Sequence, residues 1–69
     1  SIPYGFRLAA DGVHLVEHDG EQAVLREAKC LRSGGLSLRA VCAELHRAGF
    51  KPRSGGSWYP AQIKRMVSA

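Results

Sequence analysis

The chain has few cysteines, few aromatic rings and almost no acid beyond its first third, and each shortage removes a class of protein. Two cysteines in 69 residues, Cys30 and Cys42, are too few for the disulfide framework of a small secreted domain. With no export signal either, a reducing cytoplasm is the expected setting. There is no CxxC pair. Cys42 and His46 stand i, i+4, but a structural zinc site needs four ligands, so Cys30 and His14 or His18 would have to converge on them. Buried free thiols are therefore the default, and neither a metal nor a cofactor is expected. No apolar run approaches the roughly 20 residues of a membrane span, so no membrane partner is expected. The glycine pairs at 34–35 and 55–56 lack the lysine of a phosphate-cradling loop, and no motif groups a serine, a histidine and an acid. No two carboxylates share a suggestive spacing within one element. A chain this short also encloses a catalytic cleft with difficulty. An enzyme is not expected here.

What is present is a basic single domain. Hydrophobic residues make up 45% of the sequence, enough for one compact core. At this length folding buries only about 60% of the surface of the unfolded chain. The net charge is +4 and is unevenly spread. Residues 1–25 carry one cation, Arg7, against four acids; residues 26–69 carry nine cations against Glu27 and Glu44, a local balance of +7. A basic segment joined to a mildly acidic one suggests a polyanion-facing surface, although a merely solvated basic surface has the same composition. The sequence opens at Ser1-Ile2-Pro3-Tyr4 without a methionine, inside what reads as structured sequence, which predicts a module of a longer protein.

The local patterns predict a β-hairpin over residues 1–18, then three helices over residues 19–69. Tyr4, Phe6 and Leu8 alternate with Gly5 and Arg7 at strand period. Asp11-Gly12 is a turn dipeptide, and Val13 to Glu17 supplies the return strand. A lone hairpin is barely stable in water, so it should pack on the helical part of the chain. Helix one should start at Asp19, whose carboxylate caps it in a box with Gln22, and stop at Gly34-Gly35. Its apolar stripe is Val24, Ala28 and Leu31. Ser37 should cap helix two, with Leu36 and Val41 as a hydrophobic staple and Gly49 as its stop. Leu38, Val41, Cys42 and Leu45 form its buried stripe, leaving Arg39, Glu44 and Arg47 outside. The segment Lys51-Pro52-Arg53-Ser54-Gly55-Gly56-Ser57 reads as a basic turn or loop. Helix three should begin at Pro60. Ile63, Met66 and Val67 then face the core with Trp58, while Ala61, Lys64 and Arg65 lie outside and Gln62 sits on a flank.

Helices two and three with a basic outer face form the helix-turn-helix constellation, in which one helix abuts phosphate and the next enters the major groove. On that reading Gln62 reads adenine, Arg65 reads guanine or holds a phosphate, and the Tyr59 hydroxyl donates to phosphate. Each is equally an ordinary solvated helix residue. Lys51 and Arg53 can meet DNA, Arg53 in a narrow minor groove, or belong to a solvated connector. Arg39 can meet phosphate beside the first amides of its helix or pair with a surface acid. Trp58 can stack on an unpaired base, but in a domain with five aromatic residues it is expected in the core.

Four segments in order resemble a known family. Pro3-Tyr4-Gly5-Phe6-Arg7 resembles the PYGYR motif that opens the "recombinase" domain of serine site-specific recombinases, the resolvase/invertase family. Gly35-Leu36-Ser37-Leu38-Arg39-Ala40, continued by Ala43-Glu44-Leu45, resembles its GLSLRAIA segment. Arg53-Ser54-Gly55-Gly56-Ser57-Trp58 is similar to its RGGxW turn, and Ile63-Lys64-Arg65-Met66-Val67 to its closing helix. The resemblance spans residues 3–67. It implies a module that binds one half-site of duplex DNA, covalently joined to a catalytic domain that holds the nucleophilic serine. The arginine-serine motif of that domain is absent here, so no serine of this chain inherits the role. The implied DNA contacts fall on Arg39, on the loop with Lys51, Arg53, Ser54 and Ser57, and on Tyr59, Gln62, Lys64 and Arg65. The family often places Ser or Thr where Tyr59 stands, which bears on how helix three starts. The alternative from another class is a protein–protein adaptor docking through the hairpin and helix one, at exposed apolar groups such as Ile2, Tyr4 or Val13.

Overall fold

A computed structural model describes residues 2–68. It is mainly α: an antiparallel hairpin of β1 (Phe6–Leu8) and β2 (Leu15–Glu17) precedes α1 (Asp19–Ser33), α2 (Leu38–Arg47) and α3 (Pro60–Ser68). The three helices pack pairwise on one another. Between them lies one apolar core of Val24, Ala28, Val41, Leu45, Trp58, Ile63 and Met66. Six of these are positions that helical spacing nominates, Trp58 lying in the loop before α3, and all but Val24, Trp58 and Met66 are wholly inaccessible. Leu31, Leu36, Leu38, Cys42, Phe50 and Val67 pack around them, half-buried. Burial pushes the Cys42 thiol above its ordinary value.

The helix ends obey local chemistry. Ser37 caps α2, its hydroxyl oxygen accepting from the Ala40 amide at 3.1 Å. α1 and α2 end alike. Gly35 and Gly49 take positive φ (100° and 88°), and the next amides, of Leu36 and Phe50, donate back to Leu31 and Leu45. The start of α1 departs from expectation. His18, not Asp19, is the cap: its Nδ1 accepts from the Glu21 amide at 3.1 Å. Asp19 is the first helical residue, where its charge meets the positive end of the helix dipole. Gln22 makes no capping box, because its amide nitrogen donates across to the Gly5 carbonyl at 2.9 Å.

The hairpin is shorter than the alternation suggested. One Asp11 carboxylate oxygen accepts from the amides of Val13 and His14, and the other bonds the His14 ring at 2.6 Å. That local bonding competes with the ladder, so the return strand begins at Leu15 rather than Val13. Those bonds, the His14 contact first, hold the Asp11 carboxyl below its ordinary value. Tyr4 also lies outside the strand. Its ring is turned inward, edge-on to Trp58 with centroids 5.8 Å apart.

The hairpin docks by its root. The buried Gly5 takes φ +101°, donates to a Glu21 carboxylate oxygen at 2.7 Å and receives the Gln22 amide. A Cβ at Gly5 would lie 2.6 Å from Leu25 Cδ1 and 2.9 Å from Gln22 Nε2, so those side chains would have to shift, and the positive φ itself favours glycine. The tip stands clear of the helices: every residue from Ala10 to Leu15 is exposed.

Candidate nucleic-acid interface

The candidate surface is built on α3, α2 and the loop between them. Pro60 occupies the first helical position of α3, and Ile63 and Met66 seat one face in the core. That seating turns Ala61, Lys64 and Arg65 to solvent and leaves Gln62 half-buried on a flank, as the spacing predicts. Tyr59 cannot cap with its ring, and Gln62 takes over. Its carbonyl oxygen accepts from the Tyr59 amide at 2.6 Å, the return half of a capping box. This leaves the amide nitrogen as the donor that Gln62 can offer a ligand. Tyr59 is 62% exposed, so its hydroxyl is free to reach a ligand. In α2, Arg39 is exposed in the first turn, on the same outer stripe as Ala43 and His46.

The intervening loop is held by its own residues. Pro52 is buried, and its carbonyl accepts from the Gly55 amide at 2.8 Å, closing a turn with Arg53 and Ser54 at its centre. Trp58 then anchors the loop: it is 7% exposed and its indole N–H donates to the Phe50 carbonyl at 3.1 Å. No face of Trp58 is open to stack on a base. Lys51, Ser54 and Ser57 remain exposed.

The cations divide into two groups. Arg53 belongs to the fold. Its guanidinium grips Glu21 at 2.6 and 3.0 Å and donates to the carbonyls of Ile2, Pro3 and Phe6. It also lies 5.6 Å from the centre of the Tyr4 ring. These donors point to the hairpin root and α1. The Arg53 bond holds the Glu21 carboxyl below the usual carboxylate range, and Glu21 in turn raises the Arg53 pKa. Burial pushes the Tyr4 hydroxyl upward, and Glu21 adds to the shift. Arg32 donates to the Leu36 carbonyl and Arg47 pairs with Glu44. By contrast Arg7, Arg26, Arg39, Lys51, Lys64 and Arg65 are exposed, with no side-chain ion pair or hydrogen bond among the described residues, and the last four lie on α2, α3 and the loop between them. Sequence reasoning missed Glu21 as the organiser of the Arg53 contact. An acid in the first turn of a helix carries no signal for a partner 32 residues away.

Among the described residues no three His, Cys, Asp or Glu side chains converge on a possible metal position. Among the described residues no helix is long and apolar enough to cross a membrane. Of the apolar groups named for an adaptor, Ile2 and Tyr4 are half-buried while Val13 is 75% exposed. Comparison of the chain with protein-family models, with curated proteins and with solved structures gives no match.

Proposed function

We propose that this domain binds duplex DNA, with α3 in the major groove and α2 and the 51–57 loop against the backbone. The observation that carries the reading is the division of the cations. Arg39, Lys51, Lys64 and Arg65, four of the six exposed cations without a partner among the described residues, lie on α2, α3 and the loop between them. Arg7 and Arg26 lie elsewhere, while Arg53 is engaged within the fold and Arg47 pairs with Glu44 at the surface. Unpaired surface cations release condensed counterions when they neutralise phosphate, which supplies most of the sequence-independent affinity. Arg65 and the Gln62 amide, on one side of α3, have the donor geometry for base edges. Arg53 serves the same surface indirectly, by fixing the loop that leads into α3. The burial of Trp58 favours duplex over single strands, since the stacking platform of single-strand binders is lacking.

The four-segment resemblance refines this to half-site binding for a serine recombinase, with strand cleavage performed by an attached catalytic domain. The test is competition between a labelled duplex and the corresponding single strand. Preference for the duplex, weakened by Arg65→Ala and Lys64→Ala and unchanged in fold by circular dichroism, is expected. Equal competition by the single strand contradicts the reading.

A further inference from the structure

The loop between α2 and α3 is tied to the rest of the fold through one side chain. Among the described residues, every hydrogen bond from residues 51–57 to another part of the chain is donated by the Arg53 guanidinium. The turn closed by Pro52 and Gly55 is internal to the loop, and the Trp58 indole bond to Phe50 joins its two ends. These shape the loop. Neither ties it to α1 or to the hairpin.

The Arg53 bonds converge on an acid whose side chain is only 12% exposed. Glu21 Oε1 accepts from Arg53 at 2.6 Å and also from the Gly5 amide at 2.7 Å, while Oε2 accepts from Arg53 Nε at 3.0 Å. One carboxylate therefore docks the hairpin root on α1 and holds the loop. The other Arg53 donors go to carbonyls of that same root, so the root cannot leave α1 without loosening the loop. A Gln side chain at this place keeps one acceptor but turns an NH₂ group towards the Arg53 or Gly5 donors. The hairpin tip is separate. There Leu8 pairs with Leu15, both stand half in water, and among the described residues no hydrogen bond joins the tip to the loop.

We propose that Glu21 is a positioning residue for DNA binding, coupling the docking of the hairpin root to the placement of Lys51 against phosphate. This rests on the duplex-binding reading of α3 and the loop. It reverses what charge alone predicts. Removing an acid from a basic domain lessens the repulsion of phosphate and should tighten binding. Removing this acid frees Arg53, releases the loop and loosens binding. Glu17 supplies the comparison, because its exposed side chain has no partner among the described residues. By linkage, DNA held through the loop also holds the root closed.

The test measures affinity for a labelled duplex by fluorescence anisotropy in the full chain, with each variant checked for folding by circular dichroism. Glu21→Gln should weaken binding about threefold, the scale of one exposed ion pair, and reduce the salt slope by about 1. Glu17→Gln should bind no more weakly than wild type. Lys51→Ala should weaken the wild type but add nothing to Glu21→Gln, whereas Arg65→Ala should weaken both backgrounds alike. Amide exchange of the wild type keeps the test independent of whether Glu21→Gln folds. Saturation with duplex should slow exchange at Gly5 by the factor that Glu21→Gln loses in affinity, and leave Val13 at the tip unchanged. Additive losses from Glu21→Gln and Lys51→Ala, a Glu21→Gln variant that binds as tightly as wild type, or unchanged exchange at Gly5 would overturn the coupling. The duplex-binding reading would still stand if Arg65→Ala weakened binding. A wild type that binds no duplex would overturn both.

Discussion

The root and the tip of the hairpin share one ladder of backbone pairs yet are held by different forces. At the root, Gly5, Glu21, Gln22 and Arg53 join segments separated by 16 to 51 residues, and the backbone closes on α1 within the space of a missing Cβ. At the tip, Asp11 bonds only its neighbours Val13 and His14, and the paired leucines are half in water. The strand alternation is the same at both ends. Docking is therefore decided by long-range polar contacts to backbone carbonyls and amides, which leave no periodic trace in a sequence.

The largest expected effect compares two glycines. Gly5→Ala should cost about 3 kcal/mol, from a strained positive φ plus overpacking against Leu25 and Gln22. Gly12→Ala has the strain (φ +71°) but open space around it, and should cost about 1 kcal/mol. Urea unfolding of the pair reads the difference, and equal losses would mean that the root is not packed as described. Next, Arg53→Ala should cost about 1.5 kcal/mol, reduced from its bond count because the guanidinium is half-exposed. Arg53→Lys should recover little of it, since an ammonium cannot span Glu21 and three carbonyls.

A smaller effect separates root from tip by pH. Glu21 is held below its ordinary value in the folded state, so the unfolded state takes up its proton more readily. Its stabilisation is complete above the unfolded value and is lost as pH falls through the folded one. Thermal midpoints should drop on acidification below about pH 4.3, and Glu21→Gln should flatten that drop. Asp11 is depressed in the same direction but is fully exposed, so Asp11→Asn should flatten it less. A larger effect from Asp11 would reverse the assignment of root and tip. Smallest of all, Leu15→Ser should change stability by no more than about 0.5 kcal/mol, as for an ordinary surface site.

Much of the helical unit is legible in the sequence because its signals are local. Ser37, Gly35, Gly49 and Pro60 act within a turn of where they stand, and the stripes through Val24, Val41 and Ile63 follow from helical period alone. The exposure of Arg39, Lys64 and Arg65 follows from the same geometry. What is not legible depends on competition or distance. Asp19 and His18 are both able to cap, and only the backbone path gives the role to His18. Tyr59 signals a helix start without a side-chain cap, but that the Gln62 carbonyl turns back to the Tyr59 amide shows only in the folded chain. Arg53 sits among glycines and serines like a ligand-facing loop residue, and its engagement with Glu21 appears only when the hairpin folds back.

The central claim is that the unpaired cations of the helix-turn-helix pair bind duplex DNA, and salt dependence tests it most directly. Fluorescence anisotropy of the domain with a labelled duplex should give a binding constant that falls linearly with salt on logarithmic axes. Arg65→Ala should reduce the slope by about 1 and cost about 1–3 kcal/mol. No binding at low salt, or an Arg65→Ala variant with wild-type affinity and slope, would contradict the account.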